Sequence, residues 1–180
     1  MFILYALAIG LVLGVLVGGR VAGLAELRIR WAWLALAGLA VQLVLFTPLG
    51  TWIPADAVPP AYVASTAAVL AVVLRNVRIP GFALIALGAG LNLVAILANG
   101  GYMPADPDAL ATAGLEPGSA ATNSIVTGDP VLYPLTDIFA VPSFVPFANV
   151  FSVGDVIIGA GIVVAVVAAM RRRPEAADPA

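Results

Sequence analysis

The chain has 180 residues, of which 62% are hydrophobic and 10% are charged, and its mean hydropathy is +1.09. A soluble domain is about half apolar and about a quarter charged, and a chain this small has too little interior to bury so much apolar surface. The composition therefore excludes disordered, coiled-coil, collagen-like and soluble enzyme classes, and it indicates a protein whose solvent is largely lipid.

Cysteine, histidine and lysine are missing from the sequence. Without them the chain has no disulfide, no thiolate nucleophile, no imidazole base or ligand, and no amine for Schiff-base chemistry. We therefore expect no metal site and no cofactor. A protein that is not an enzyme is favoured.

Five apolar stretches are long enough to be helices, at residues 2–19, 31–49, 58–74, 79–98 and 150–170. A helix that spans a bilayer needs about 20 apolar residues. The pattern predicts an all-α fold: a polytopic membrane bundle of five transmembrane helices. Residues 1–170 would form a single membrane domain, and residues 171–180 a cytoplasmic tail. The first stretch lacks a basic region before it, so we expect it to be retained rather than cleaved as a signal peptide.

The arginines predict the orientation of the chain. All eight basic residues follow the first, third or fifth stretch: Arg20, Arg28, Arg30, Arg75, Arg78, Arg171, Arg172 and Arg173. The remaining loops contain acidic residues alone. Because cytoplasmic loops are enriched in positive charge, the N-terminus should lie outside and the C-terminus in the cytoplasm. We interpret the arginine clusters as contacts with anionic lipid and not with nucleic acid.

Residues 99–149 are predicted to form a cap on the outer side. Within it, Asp106 and Pro107 have the residue types that begin a helix, and Gly114 the type that ends one. The segment from Pro130 to Phe151 is aromatic but contains four prolines, which forbid a spanning helix. We expect it to lie on, or dip into, the outer mouth of the bundle.

Small residues recur every fourth position in the first stretch, at Ala6, Gly10, Gly14 and Gly18. This spacing is typical of a surface on which two membrane helices approach closely. One interpretation is a homodimer through the first helix. The other, which we favour, is packing inside the chain's own bundle.

Polar residues within the apolar stretches fall in their outer halves. Gln42 and Asn92 lie about 10 Å below the outer ends of their helices, and Asp155 is nearer the surface. They predict a polar pocket with Gln42 and Asn92 as its floor, Asp155 as its wall and the segment bearing Asp137 as its lid. The complete set of candidate ligand-binding residues is Gln42, Asn92, Asn99, Asp137, Asn149 and Asp155.

Each of these residues also has a structural interpretation. The sequence from Ser152 to Asp155 fits a helix capping box, so Asp155 is either a cap, a functional carboxylate or both. Gln42 and Asn92 are the residue types that hydrogen-bond between membrane helices.

Three segments carry a resemblance: Asn-Gly-Gly-Tyr-Met-Pro at residues 99–104, Pro-Leu-Thr-Asp-Ile-Phe at residues 134–139, and Asn-Val-Phe-Ser-Val-Gly-Asp-Val-Ile-Ile at residues 149–158. With these segments the chain resembles an uncharacterised family of small bacterial polytopic membrane proteins. The resemblance implies a multi-pass protein of the bacterial inner membrane. It implies no activity, ligand or catalytic residue.

The sequence as a whole favours a membrane protein that is an accessory subunit or a binder of a lipid-like or small ligand at its outer face. Its expected partners are the lipid bilayer and other membrane subunits, or a second copy. The alternative is a small transporter, or a membrane enzyme that uses Asp137 and Asp155. A transporter needs polar groups through the full depth of the membrane, and the inner halves of these helices have none.

Overall fold

The computed structural model describes residues 2–116 and 124–172, and this part of the chain is mostly helical. Its α-helices are α1 (Phe2–Leu16), α2 (Ala32–Leu45), α3 (Val58–Arg75), α4 (Phe82–Ala98), α5 (Pro107–Ala113) and α6 (Val153–Met170). Short 3₁₀ helices occupy Val21–Glu26, Pro48–Trp52 and Tyr133–Leu135, and the strands are β1 (Met103–Pro104), β2 (Ser124–Ile125), β3 (Phe139–Val141) and β4 (Asn149–Phe151). Arg173 and the rest of the predicted tail lie outside the described residues.

Two helices, α3 and α6, are long and apolar enough to cross a membrane by length and composition. Each has 18 residues, whereas α1, α2 and α4 are shorter apolar helices. The prediction of a mostly helical chain is thus confirmed. The stretch predicted at residues 58–74, the shortest of the five, is in fact one of the two longest helices.

Several predicted helix ends are wrong. The first helix ends at Leu16, not at residue 19, because Gly18 has a φ of 78°, which is not helical. The second ends at Leu45, since Pro48 begins a separate 3₁₀ turn. The fourth begins only after Gly81, whose φ is 86°. The fifth begins at Val153, because residues 150 and 151 belong to β4.

The five longer helices form a row in the order α2, α3, α4, α6, α1, in which each packs on the next. In the described part of the chain, α1 and α2 have at most a marginal contact with each other. The row nevertheless curves, because residues of both α1 and α2 line the same cavity as the helices between them. The bundle is therefore open along one side.

Small residues allow the closest helix approaches. A Cβ on Gly10 would lie 3.0 Å from the Cβ of Val166, and one on Gly14 would overlap the sulfur of Met170. The small-residue strip of α1 thus packs against α6, as the bundle interpretation predicts. Gly18 takes no part in this packing, because it follows the end of α1 and a Cβ there would meet nothing within 4 Å.

The arginine-bearing segments meet at one end of the bundle. Asn76, which is buried, accepts a hydrogen bond from the backbone N–H of Arg30 at 2.8 Å and donates to the carbonyl of Arg30 at 2.8 Å. The Arg20 N–H donates to the carbonyl of Met170 at 2.7 Å. The guanidinium of Arg75 stands 5.7 Å from the ring centroid of Trp31, which is cation–π range.

The opposite end carries the cap, which contains more regular structure than the sequence indicates. The short helix α5 is confirmed: the Asp106 carboxylate accepts from the N–H of Asp108 at 2.9 Å, and Gly114 ends the helix with a φ of 68°. Two strand pairs were not predicted. β1 pairs with β2 in parallel, and β3 pairs with β4 in antiparallel register.

The proline-rich segment contacts the bundle at its two ends and leaves aromatic side chains exposed at its tip. Asp137 is buried near one end, and at the other the ring of Phe151 stacks on Phe2 with centroids 4.4 Å apart. At the tip, Phe144 and Phe147 are 86% and 57% exposed. The hydroxyl of Tyr5 donates to the carbonyl of Pro146, so the tip folds down beside α1.

Candidate functional site

A cavity of about 490 Å³ lies inside the curve of the helix row and reaches the cap. Its volume falls in the range of about 300–1,000 Å³ that is typical of small-molecule sites. Aliphatic and aromatic side chains form most of its wall. Its polar and charged side chains are Gln42, Tyr62, Thr66, Asn92, Asp137, Asn149 and Asp155.

A hydrogen-bonded cluster of three polar residues at this cavity joins α4 to the start of α6. Asn92 donates through Nδ2 to Oδ1 of Asp155 at 3.0 Å, and the Ser152 N–H donates to Oδ2 of Asp155 at 3.0 Å. The buried Ser152 hydroxyl accepts from the Asp155 N–H at 3.0 Å. Its own proton goes either to Oδ1 of Asn92 at 2.8 Å or to Oδ2 of Asp155 at 3.0 Å.

The capping box predicted from Ser152 and Asp155 is therefore present. The same carboxylate also binds Asn92 across the helix interface, so Asp155 is both a cap and an interhelical partner. Gly154 is needed at this crossing because a Cβ there would overlap the carbonyl oxygen of the Asn92 side chain.

The opposite wall of the cavity has a second interhelical hydrogen bond. Gln42 on α2 donates through Nε2 to the hydroxyl of Thr66 on α3 at 3.3 Å. Tyr62 lies one helical turn before Thr66 and packs edge-on against Phe46, with ring centroids 4.9 Å apart. Tyr62 is buried. Its i, i+4 spacing from Thr66 is the signal that places both residues on one face.

Asp137 enters the cavity wall from the cap. Asp137 is 4% exposed. Its N–H donates to the carbonyl of Pro104 at 3.0 Å, and its carbonyl accepts from the N–H of Asp106 at 3.0 Å. These backbone bonds join the proline-rich segment to the segment that follows α4, and they hold Asp137 in place.

Five of the six candidate residues line the cavity, but Asn99 does not. Its side-chain Nδ2 donates to the carbonyl of Val131 at 2.9 Å, and its Oδ1 accepts from the Val131 N–H at 2.9 Å. Asn99 thus fastens the cap to the end of α4. Asn149, in β4, does reach the cavity.

A separate polar pair lies on the surface of the cap. The Tyr133 hydroxyl donates to Oδ2 of Asp106 at 2.7 Å. This bond lowers the pKa of Asp106, with a further contribution from the N–H of Ala109, and it raises the pKa of Tyr133. Because Asp106 is also the N-cap of α5, the pair joins the 3₁₀ turn at Tyr133 to that helix. Its role is structural.

A protein-family model matches residues 26–167 of the chain. The chain belongs to a family of unknown function, DUF5317. The resemblance to an uncharacterised family is thereby confirmed. The matched range contains every polar residue of the cavity and all of α2 through α5, together with most of α6. The chain matches no curated protein and no solved structure.

The described residues contain no group of three or more acidic side chains that could hold a metal ion. The polar side chains at the cavity are carboxylates, amides and hydroxyls, which can form hydrogen bonds beside an apolar wall. Such a surface can bind and orient an amphiphilic molecule.

Proposed function

We propose that this protein is an integral membrane protein that binds a small, lipid-like ligand in the cavity next to its cap. The observation that carries the proposal is the cavity, where Gln42, Asn92, Asp137, Asn149 and Asp155 converge beside an apolar wall. Pockets of this kind bind ligands through apolar contacts and use a few polar groups for orientation. A role as accessory subunit of a larger membrane complex is compatible with the same site.

The proposal includes a bilayer that surrounds all five longer helices. It is supported by the large apolar side chains on their outer surfaces, among them Leu16, Leu36 and Leu43, which are 74%, 66% and 67% exposed. The short α2 is continued towards the cap by the 3₁₀ turn Pro48–Trp52. With the arginines at one end, the positive-inside rule orients that end towards the cytoplasm of a bacterial cell.

The orientation makes a testable prediction, because single cysteines can be introduced into this cysteine-free chain. Asp56→Cys should react in intact cells with a maleimide that cannot cross the membrane, whereas Glu26→Cys should react only after the cells are opened. Both positions are exposed in loops at opposite ends of the bundle. Labelling of position 26 in intact cells would contradict the proposed orientation.

A binder is favoured over an enzyme by the state of Asp155. Its carboxylate accepts hydrogen bonds from Asn92 and Ser152, so it joins α4 to the start of α6, a structural role that needs no catalytic step. A transporter is disfavoured because the deep part of the cavity is lined by Val73, Ile85 and Ile162. A homodimer through α1 is not part of the proposal, since α6 covers the small-residue strip of that helix.

The ligand itself is tested by Asn92→Leu, which keeps the approximate size of the side chain but removes the amide. A hydrogen bond that involves a charged group contributes about 1.5–3 kcal/mol, so ligand retention should fall about tenfold or more. Native mass spectrometry of the protein released from its membrane measures the retained adduct directly.

Asn99→Leu is the matched control. It makes the same substitution about two turns further on, at the C-cap of the same helix and at a residue that does not line the cavity, and it should retain the adduct. Equal retention by both variants, or the absence of any adduct on the wild-type protein, would contradict ligand binding at this site.

A further inference from the structure

Resting on the proposed function, we infer that the cavity takes up the apolar chain of a bilayer amphiphile sideways, through the gap between α1 and α2. The polar end of that amphiphile is a hydroxyl or an ammonium group, which donates hydrogen bonds to the carboxylates and amides next to the cap. The inference names both the route and the class of ligand.

The route follows from the open side of the helix row. Ile3 on α1 and Leu39 on α2 both line the cavity, yet they are 48% and 51% exposed. Because α1 and α2 do not pack closely on each other, we place the opening of the cavity between these two residues. On either side of this opening the helices present apolar surface, such as Leu7 and Leu36. In a bilayer these surfaces contact acyl chains, so the opening faces lipid and not water.

The orientation of the ligand follows from the gradient of polarity along the cavity. On α6 the lining changes from Asp155 to Ile162 over seven residues, and on α4 from Asn92 to Ile85 over seven residues. Each distance is about 10 Å along the helix axis. The polar groups are next to the cap and the apolar groups are deeper. An amphiphile in one leaflet has the same arrangement, with its polar end at the interface and its chain towards the centre.

The charge of the polar end follows from the charges of the lining. Two carboxylates, Asp137 and Asp155, face the cavity, and none of the arginines that the structure describes lines it. Oδ1 of Asp155 accepts a single hydrogen bond, from Asn92, among the described residues, and a carboxylate oxygen has two acceptor positions. A donor such as a hydroxyl or an ammonium group fits this lining, whereas a phosphate or carboxylate group is repelled.

The test places a tryptophan in the gap between α1 and α2 and measures how a brominated amphiphile quenches its fluorescence. The native Trp31, Trp33 and Trp52 are changed to Phe, and Leu39→Trp is added. The variant is reconstituted in phosphatidylcholine nanodiscs that contain increasing mole fractions of dodecylamine carrying two bromines at the end of its chain. We expect quenching that saturates at low mole fraction. Phe2→Trp, at the other side of the cavity, is a second reporter in case a tryptophan at position 39 closes the gap.

Leu36→Trp is the matched control, because Leu36 lies on the same helix and is exposed but does not line the cavity. The fluorescence quenching at position 36 should rise in proportion to the mole fraction of brominated amphiphile, as for any residue that contacts lipid. Unbrominated dodecylamine and dodecanol should compete with the brominated amphiphile and relieve the fluorescence quenching at position 39. Dodecanoate should need a mole fraction about tenfold higher for the same relief, the ratio expected from one lost charge-assisted hydrogen bond.

Quenching that is proportional to mole fraction at positions 39, 2 and 36 alike would overturn the lateral route. Competition by dodecanoate equal to that of dodecylamine would overturn the assignment of the polar end. If either result is found while the native adduct still depends on Asn92, the proposed function stands and this inference alone fails. If the adduct is also missing, both fail.

Discussion

Replacing Gly88 with alanine is expected to separate α4 from α6 and to lower the free energy of unfolding by about 2–3 kcal/mol, the upper part of the range of about 1–3 kcal/mol for overpacking. A Cβ at this position would overlap the carbonyl oxygen of Gly154 and lie 2.9 Å from the N of Ile158. Both atoms belong to the backbone, so no side-chain rotation relieves the overlap. Thermal unfolding of the purified protein in detergent measures the effect.

Gly90→Ala is the control for this prediction. Gly90 lies two residues along the same helix, and a Cβ there would meet nothing within 4 Å. Alanine has a higher helix propensity than glycine by about 1 kcal/mol, so this variant should be neutral or slightly more stable. Equal melting temperatures for the two variants would show that α4 and α6 do not approach at Gly88.

The same crossing holds the polar group of the cavity. Asn92 is one turn from Gly88 on α4, and its amide fits against Gly154 on α6. A displacement of α6 by the extra methyl group would therefore also lengthen the hydrogen bond from Asn92 to Asp155. We expect Gly88→Ala to lose the bound adduct together with its stability.

Replacing Asn76 with alanine is the second substitution for which we expect a large effect. It should lower the free energy of unfolding by about 2 kcal/mol or more. Asn76 is 5% exposed and makes hydrogen bonds to both backbone groups of Arg30 and to the carbonyl of Val72. Alanine removes all of them and leaves polar backbone groups without their partner, which costs about 1–3 kcal/mol for each buried group.

Asn99→Ala provides the comparison, because Asn99 binds the two backbone groups of Val131 in the same way but in an exposed position. Water can replace the lost amide there, so we expect the free energy of unfolding to fall by about 1 kcal/mol or less. Chemical denaturation of the two variants under one condition measures both. A loss for Asn99→Ala as large as that for Asn76→Ala would contradict the argument from burial.

The two asparagines share a pattern that sequence reasoning did not use. Each follows the last residue of a helix, and each pairs with a backbone segment that is distant in sequence, by 46 residues for Asn76 and 32 for Asn99. Asn99 was one of the predicted ligand-binding residues. The clamp that it forms depends on where the chain returns after the cap, and no local pattern encodes that position.

Properties that depend on neighbours within about four residues could be read from the sequence alone. The apolar stretches predicted where the five longer helices lie, because such runs reflect local propensity and hydropathy. Asp106 and Gly114 predicted the start and end of α5, and Ser152 with Asp155 predicted the capping box of α6. In each of these motifs a side chain binds a backbone group two or three residues away, so the spacing itself specifies the bond.

Properties that depend on distant pairing were decided by the tertiary structure. Phe151 was assigned to a helix, but it pairs with Phe139 in a strand, because the two segments meet only when the cap folds back. The order of the helices in the row, and with it the gap between α1 and α2, results from close approaches at residues such as Gly14 and Gly88. The sequence determined which residues are polar and at what depth they lie along each helix. The packing of the row decided which of them face one cavity, because that depends on contacts between helices far apart in the chain.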